Sequence, residues 1–185
     1  MKISLIIIFA LFFMGCNPEP SKDKYDLVEC QKELLVSEDY STEEAIDRII
    51  VIKKEHKMYL YKKGKLQGTI PISLGKNSID PKEKKGDNKT PEGNFFIHRK
   101  LCSPKYYRSL CISYPSVQDR RKAKRKGLDP GGDITIHAQP IWNLDGHGDS
   151  YTLSHDWTHG CIAITNDEMN RLWYSIHEGV PITIK

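Results

Sequence analysis

The chain has 185 residues, 38% of them hydrophobic and 28% charged, with a formal net charge of +4. That charge suits an acidic polymer surface but is too mild for a nucleic-acid binder, and no zinc-finger spacing or nucleic-acid motif accompanies it. After the first 15 residues about one domain's worth of chain remains.

Lys2 precedes an apolar run, Ile3 to Phe13, broken only by Ser4. The run has the length of a signal-peptide apolar region and falls short of the roughly 20 residues needed to span a bilayer. Gly15-Cys16 and the polar stretch Asn17 to Ser21 follow. A small residue before a Cys at this place resembles a bacterial lipoprotein signal. The resemblance implies that residues 1–15 are removed and that Cys16 carries lipid. The alternative is an ordinary cleaved signal in which Cys16 is incidental. Both predict export to the cell envelope or periplasm, the first with a membrane anchor. Residues 16–47 are polar and mixed in charge. Short helices fit at Tyr25–Val36 and Thr42–Ile46, but a tether between membrane and domain is the favoured reading.

From residue 48 to residue 185 the pattern is that of short strands and turns. Ile49–Ile52 is β-branched throughout. Met58–Tyr61, the turn at Lys63-Gly64 and Leu66–Leu74 read as a hairpin. Gly75 to Asn94 is a Gly-, Pro-, Lys- and Asp-containing loop, in which Asp87, Thr90 and Pro91 are turn-formers. Asn94–His98 and Leu110–Tyr114 read as strands, and Arg120–Lys126 as a solvated basic helix face. Ile134–His137 and Cys161–Thr165 are short buried strands. Thr165 and Glu168 form a capping box for a helix that buries Met169, Leu172, Trp173 and Ile176. Pro181–Lys185 is expected as an edge strand because of its proline. The sum is a mainly β domain with one or two helices.

Two residues carry the chemistry. His137 ends one apolar segment, and Cys161 follows a glycine at the start of another. Cysteine is a nucleophile only as its thiolate, and a nearby imidazole is the commonest way to generate one near neutral pH. Five cysteines are an odd number. With Cys16 and Cys161 set aside, Cys30, Cys102 and Cys111 remain. A Cys102–Cys111 disulfide and buried free thiols both fit.

Three stretches carry a family resemblance. Gly86-Asp87-Asn88-Lys89-Thr90-Pro91-Glu92-Gly93, Gly132-Asp133-Ile134-Thr135-Ile136-His137 and Thr158-His159-Gly160-Cys161 occur in the order found in L,D-transpeptidase (YkuD-type) catalytic domains. The resemblance implies a β-sandwich-like catalytic fold and acyl transfer on peptidoglycan stem peptides, with no cofactor and no metal. Cys161 would form a thioester with the stem. An amine of a second stem or of a protein lysine would then accept the acyl group. His137 would serve as base and then as acid, oriented by the carbonyl of Ala138 or a neighbour. The amides around His159, Gly160 and Cys161 would form an oxyanion hole, with Thr158 bonding the turn or the substrate and His159 in support.

Many relatives have Arg two residues after the nucleophile, where this chain has Ala163. That departure bears on substrate positioning. A peptidoglycan hydrolase or carboxypeptidase using water as acceptor is the alternative within the same chemistry. A non-catalytic wall-binding lipoprotein is another. A zinc enzyme built on His137, His147, His155, His159 and Cys161 would need a ligand spacing that the chain lacks.

Overall fold

The computed structural model describes residues 26–36 and 45–185. The expected signal, Cys16 and most of the Thr42–Ile46 segment lie outside the described residues, and Ala45 and Ile46 are not helical. Arg48–Ile52 (β1) pairs antiparallel with Lys57–Lys62 (β2), which turns into Lys65–Pro71 (β3). Lys63 and Gly64 both take positive φ, as a two-residue hairpin of type I′ requires.

Gly93–Ser103 (β4) and Tyr107–Ile112 (β5) form a second, longer hairpin. Thr135–His137 (β6) adds antiparallel to β5, and Ile162–Ala163 (β7) adds parallel to β6. Pro181–Ile184 (β8) lies between β1 and β4, so one eight-stranded sheet runs β3-β2-β1-β8-β4-β5-β6-β7. The mainly β expectation holds. The edge position expected for β8 does not. Pro181 is the first residue of that strand, where a missing amide is tolerated, and the strand itself is central.

Among the described residues four helices accompany the sheet, where one or two were expected: Leu27–Val36 (α1), Val117–Arg125 (α2), the single turn Asp149–Thr152 (α3), and Asn166–Ser175 (α4). Helix α2 carries the basic run on a solvated surface and is capped by Ser116 and Asp119. In α4 half of the expected capping box forms. Thr165 accepts from the Glu168 amide, while the Glu168 carboxylate pairs with Arg171 instead of reaching back. Met169, Leu172, Trp173 and Ile176 are fully buried, as their spacing predicts. Each such side chain contributes roughly 1.5–3 kcal/mol of transfer free energy.

Helix α1 departs most from expectation. Part of the segment read as a tether is packed against the domain. A Cys30–Cys102 disulfide joins α1 to β4, and Glu33 on α1 pairs with the buried Arg108 on β5. Tyr174 and Asn170 of α4 complete the bonds to Arg108. The Cys102–Cys111 alternative is thereby corrected. Cys111 pairs in register with Arg99, three residues from Cys102, so the two sulfurs leave opposite faces of the hairpin. Cys111 stays a buried free thiol.

The disulfide closes a 72-residue separation. A Cys30→Ala/Cys102→Ala double variant is expected to lose about 2–4 kcal/mol. Urea unfolding of the two proteins measures that difference, and an unchanged midpoint would contradict it.

Candidate active site

Cys161 follows a turn that only glycine can make. Gly160 has φ +123°, and a Cβ there would stand 2.6 Å from the carbonyl oxygen of Lys89. Thr158 staples the turn. Its Oγ1 accepts from the Gly160 amide at 3.1 Å and donates to the Cys161 carbonyl at 2.7 Å. So Thr158 bonds the turn, one of the two roles expected of it. The Gly160 amide is then committed, which removes it from the expected oxyanion donors. The amides of His159 and Cys161 have no other hydrogen bond among the described residues.

The β6–β7 register pairs Ile136 with Ile162 and His137 with Ala163. Alternate residues of a strand share a face. Thr135 and His137 therefore share the face that carries Cys161 and Ala163, and Ile136 and Ile162 point into the core. The imidazole sits one register step beyond the thiol. No hydrogen bond joins them in the resting arrangement. Cys161 Sγ donates to the Asp133 carbonyl at 3.6 Å and accepts from Thr135 Oγ1 at 3.6 Å. A rotation of the Cys161 side chain, or substrate, has to bring sulfur to imidazole, and resting enzymes often hold such pairs apart.

His137 is completely buried. Its Nδ1 lies 2.7 Å from the Ala138 carbonyl. A carbonyl only accepts, so the proton of the neutral ring sits on Nδ1 and Nε2 carries the lone pair. Nε2 has no hydrogen-bond partner. The Tyr106 ring stacks on the imidazole, with centroids 3.8 Å apart, and Trp157 meets it edge-on at 5.6 Å. Burial between these rings pulls the His137 pKa down to about 4, against the opposing bond to Ala138. The imidazole is therefore neutral across the ordinary pH range.

The loop after β3 packs over the Cys161 turn. Gly75 approaches both Asn88 and Gly160 so closely that a Cβ would clash, and its amide donates to Thr90 Oγ1. Buried Lys53 donates to the carbonyls of Asp80 and Thr90 and to Glu92. Asp87 is held at a pKa of about 2. Burial pushes it up, but Lys82 and the amides of Glu83, Lys84 and Lys89 outweigh that. The turn role expected of Asp87 is seen in these bonds, whereas Thr90 ties the loop to Gly75, Ser78 and Lys53 across longer separations. His159 is exposed and binds Asn88 Oδ1 through Nδ1 at 2.8 Å, which ties the turn to this loop. A cleft of about 530 Å³ opens here, lined by Lys85, Asn88, Asp133 and His159 among others. A cavity of about 500 Å³ lies elsewhere, beside Leu60, Gln67 and Arg171, with no cysteine in its lining.

His147 and His155 bond within their own segment, to Asp145 and to the Tyr151 carbonyl. Sequence reasoning missed Tyr106 and Trp157. Trp157 directly precedes the motif, which was a usable signal. Tyr106 sits at a hairpin tip 31 positions away and is brought over His137 by the β4–β5–β6 register alone.

The chain belongs to the YkuD family, the L,D-transpeptidase catalytic domain, whose family model matches residues 46–184. It is 25% identical over 182 residues to YafK of Escherichia coli (strain K12), whose L,D-transpeptidase name is provisional. The match covers 93% of this chain and 62% of the relative's length. Among solved structures it is similar to Bd1075 of Bdellovibrio bacteriovorus, with 27% identity and a TM-score of 0.54 over 78% of this chain and 49% of that one. The helical cell shape determining protein Pgp2 of Campylobacter jejuni shares the fold at 23% identity and a TM-score of 0.57, over 86% of this chain and 56% of that one.

The buried imidazole makes two pH statements. An unfolded chain takes up a proton between pH 6.5 and about 4 that the folded chain refuses. Stability from this group is thus complete above pH 6.5 and falls by about 3 kcal/mol as pH drops through the window. In kcat/KM, the acid limb of the free enzyme should lie near pH 4. Tyr106→Ala should move that limb up toward 6.5, and Tyr106→Phe should leave it in place. A wild-type limb already at 6.5 would contradict the buried-base geometry.

Proposed function

We propose that this domain performs acyl transfer on peptidoglycan stem peptides through Cys161 and His137. The observation that carries the reading is the placement of both residues on one face of adjacent parallel strands, with an unpartnered Nε2 and a tautomer fixed by Ala138. His137 Nε2 takes the thiol proton as Sγ attacks the carbonyl that follows the L-centre of the diamino acid. The amides of Cys161 and His159 face the developing oxyanion. His137 then returns the proton to the amine of the departing D-residue, and a thioester remains on Cys161. An incoming amine adds to the thioester and gives its proton to His137. The new amide forms as the thiol is released.

Membership of the family and the cleft beside the turn support a stem peptide as donor. The acceptor is an amine of a second stem or of a protein lysine, with water as the competing acceptor. Export, removal of residues 1–15, a lipid anchor at Cys16 and a location in the cell envelope complete the reading. Their support is the sequence of the first 21 residues, which lie outside the described structure.

The test is product analysis of purified muropeptides incubated with protein lacking residues 1–16, wild type beside Cys161→Ala and His137→Ala. Wild type should yield dimers that have lost a terminal D-residue. Cys161→Ala should form none, and His137→Ala should be slower by at least about a hundredfold. Shortened stems or opened cross-links without dimers would assign water as the acceptor. Turnover retained in Cys161→Ala would sink the mechanism.

A further inference from the structure

The row of residues crossing the sheet at Cys161 ends in a cation that the reading above leaves unused. Arg99 on β4 pairs in register with Cys111 on β5, Cys111 pairs with Thr135 on β6, and the Thr135 hydroxyl bonds Cys161 Sγ. Directly paired residues project from the same face of a sheet. All four therefore lie on the face that carries His137, and Cys102, Arg108 and Ile136 lie on the other.

Burial raises the pKa of the Cys111 thiol, and the Arg99 guanidinium is close enough to oppose that rise, so the cation stands beside this row. The residue is exposed and makes no ion pair among the described residues. Arg108, on the opposite face, is engaged by Glu33, Asn170 and Tyr174. Asp133 is an acidic neighbour of Cys111, and no ion pair joins it to Arg99 among the described residues. With no carboxylate on it among the described residues, the guanidinium keeps its five donors for an anion from outside. The strand of the nucleophile supplies no cation of its own, since Ala163 occupies the position beside His137.

Strands stand about 4.8 Å apart, so a group above β5 lies roughly 10 Å from the Cys161 backbone. An extended peptide advances about 3.5 Å per residue. With Sγ standing off its backbone toward Thr135 on β6, a carboxylate about two residue-lengths from a carbonyl held there comes within reach of a cation above β5.

We propose that Arg99 binds a carboxylate of the donor stem and thereby sets the scissile carbonyl at Cys161. The inference rests on the acyl-transfer reading for its substrate class. Two groups of such a stem have the chemistry: the C-terminal carboxylate of the leaving D-residue, and the side-chain carboxylate of a diaminopimelate. Guanidinium takes either in a two-pronged bond that an ammonium cannot reproduce.

The experiment is calorimetric titration of the Cys161→Ala protein, with Arg99 intact, as Arg99→Gln and as Arg99→Lys. Three stem tetrapeptides serve as probes: the free acid, its C-terminal amide, and a version with lysine in place of diaminopimelate. Arg99→Gln should weaken the free acid by roughly ten- to a hundredfold, and Arg99→Lys should recover part of that. The loss should vanish for the one analogue that lacks the bound carboxylate, which identifies the group. An equal loss for all three peptides in both variants, or no loss for any, would overturn the proposal. Binding of none of the peptides by the parent would sink it together with the stem-peptide reading. Carboxylate-dependent binding to Arg99, with no turnover by wild type, would leave this site standing and remove the acyl-transfer reading alone.

Discussion

The parallel pairing of β6 with β7 is the constraint on which the site depends. It aligns Ile136 with Ile162 and sends both into the core. Core burial specifies this register strongly, because a slip of one residue would turn Ile162 outward and Cys161 inward. The same pairing then leaves Thr135, His137, Cys161 and Ala163 on the opposite face with no freedom to choose another. The placement of Cys161 beside His137 is a by-product of packing isoleucines. The turn into β7 is equally determined, since Lys89 and Gly75 crowd Gly160 from the loop side.

Around that pair, the protein spends its polar groups on orientation and its aromatic groups on exclusion. The Ala138 carbonyl selects the tautomer of His137 with one bond. Tyr106 and Trp157 keep water from the ring, and the resulting desolvation holds the imidazole neutral. The resting thiol is bonded to Asp133 and Thr135 instead of to His137. A site so arranged favours a thiol that is deprotonated as it attacks over a standing ion pair. Helix α1 reaches into this arrangement indirectly. The disulfide and the Glu33–Arg108 pair grip the β4–β5 hairpin, whose tip carries Tyr106.

The local features were legible in the sequence. Strand patterns, the α4 helix and the Thr158–Cys161 motif follow from periodicity and glycine placement within a few residues of each other. An orienting carbonyl at Ala138 or a neighbour came from the family resemblance, and the fold selects Ala138. What escaped the sequence is what register brings together from afar. The Cys30–Cys102 bond spans 72 positions, and the pairing of Tyr106 with His137 needs two strand registers at once. Pro181 misled because a proline excludes a ladder donor but not a first position in a central strand. Arg99 carried no local signal. It became a candidate only once β4, β5, β6 and β7 were laid side by side.

The most direct measurement is intact mass of the protein after brief incubation with a stem tetrapeptide and quenching in acid, followed by mapping of the modified peptide. The account predicts an added mass equal to the tripeptide acyl group, carried on Cys161. It predicts a much slower rise of that species in His137→Gln. An acyl group on another residue, or turnover that never passes through a species on Cys161, would contradict it.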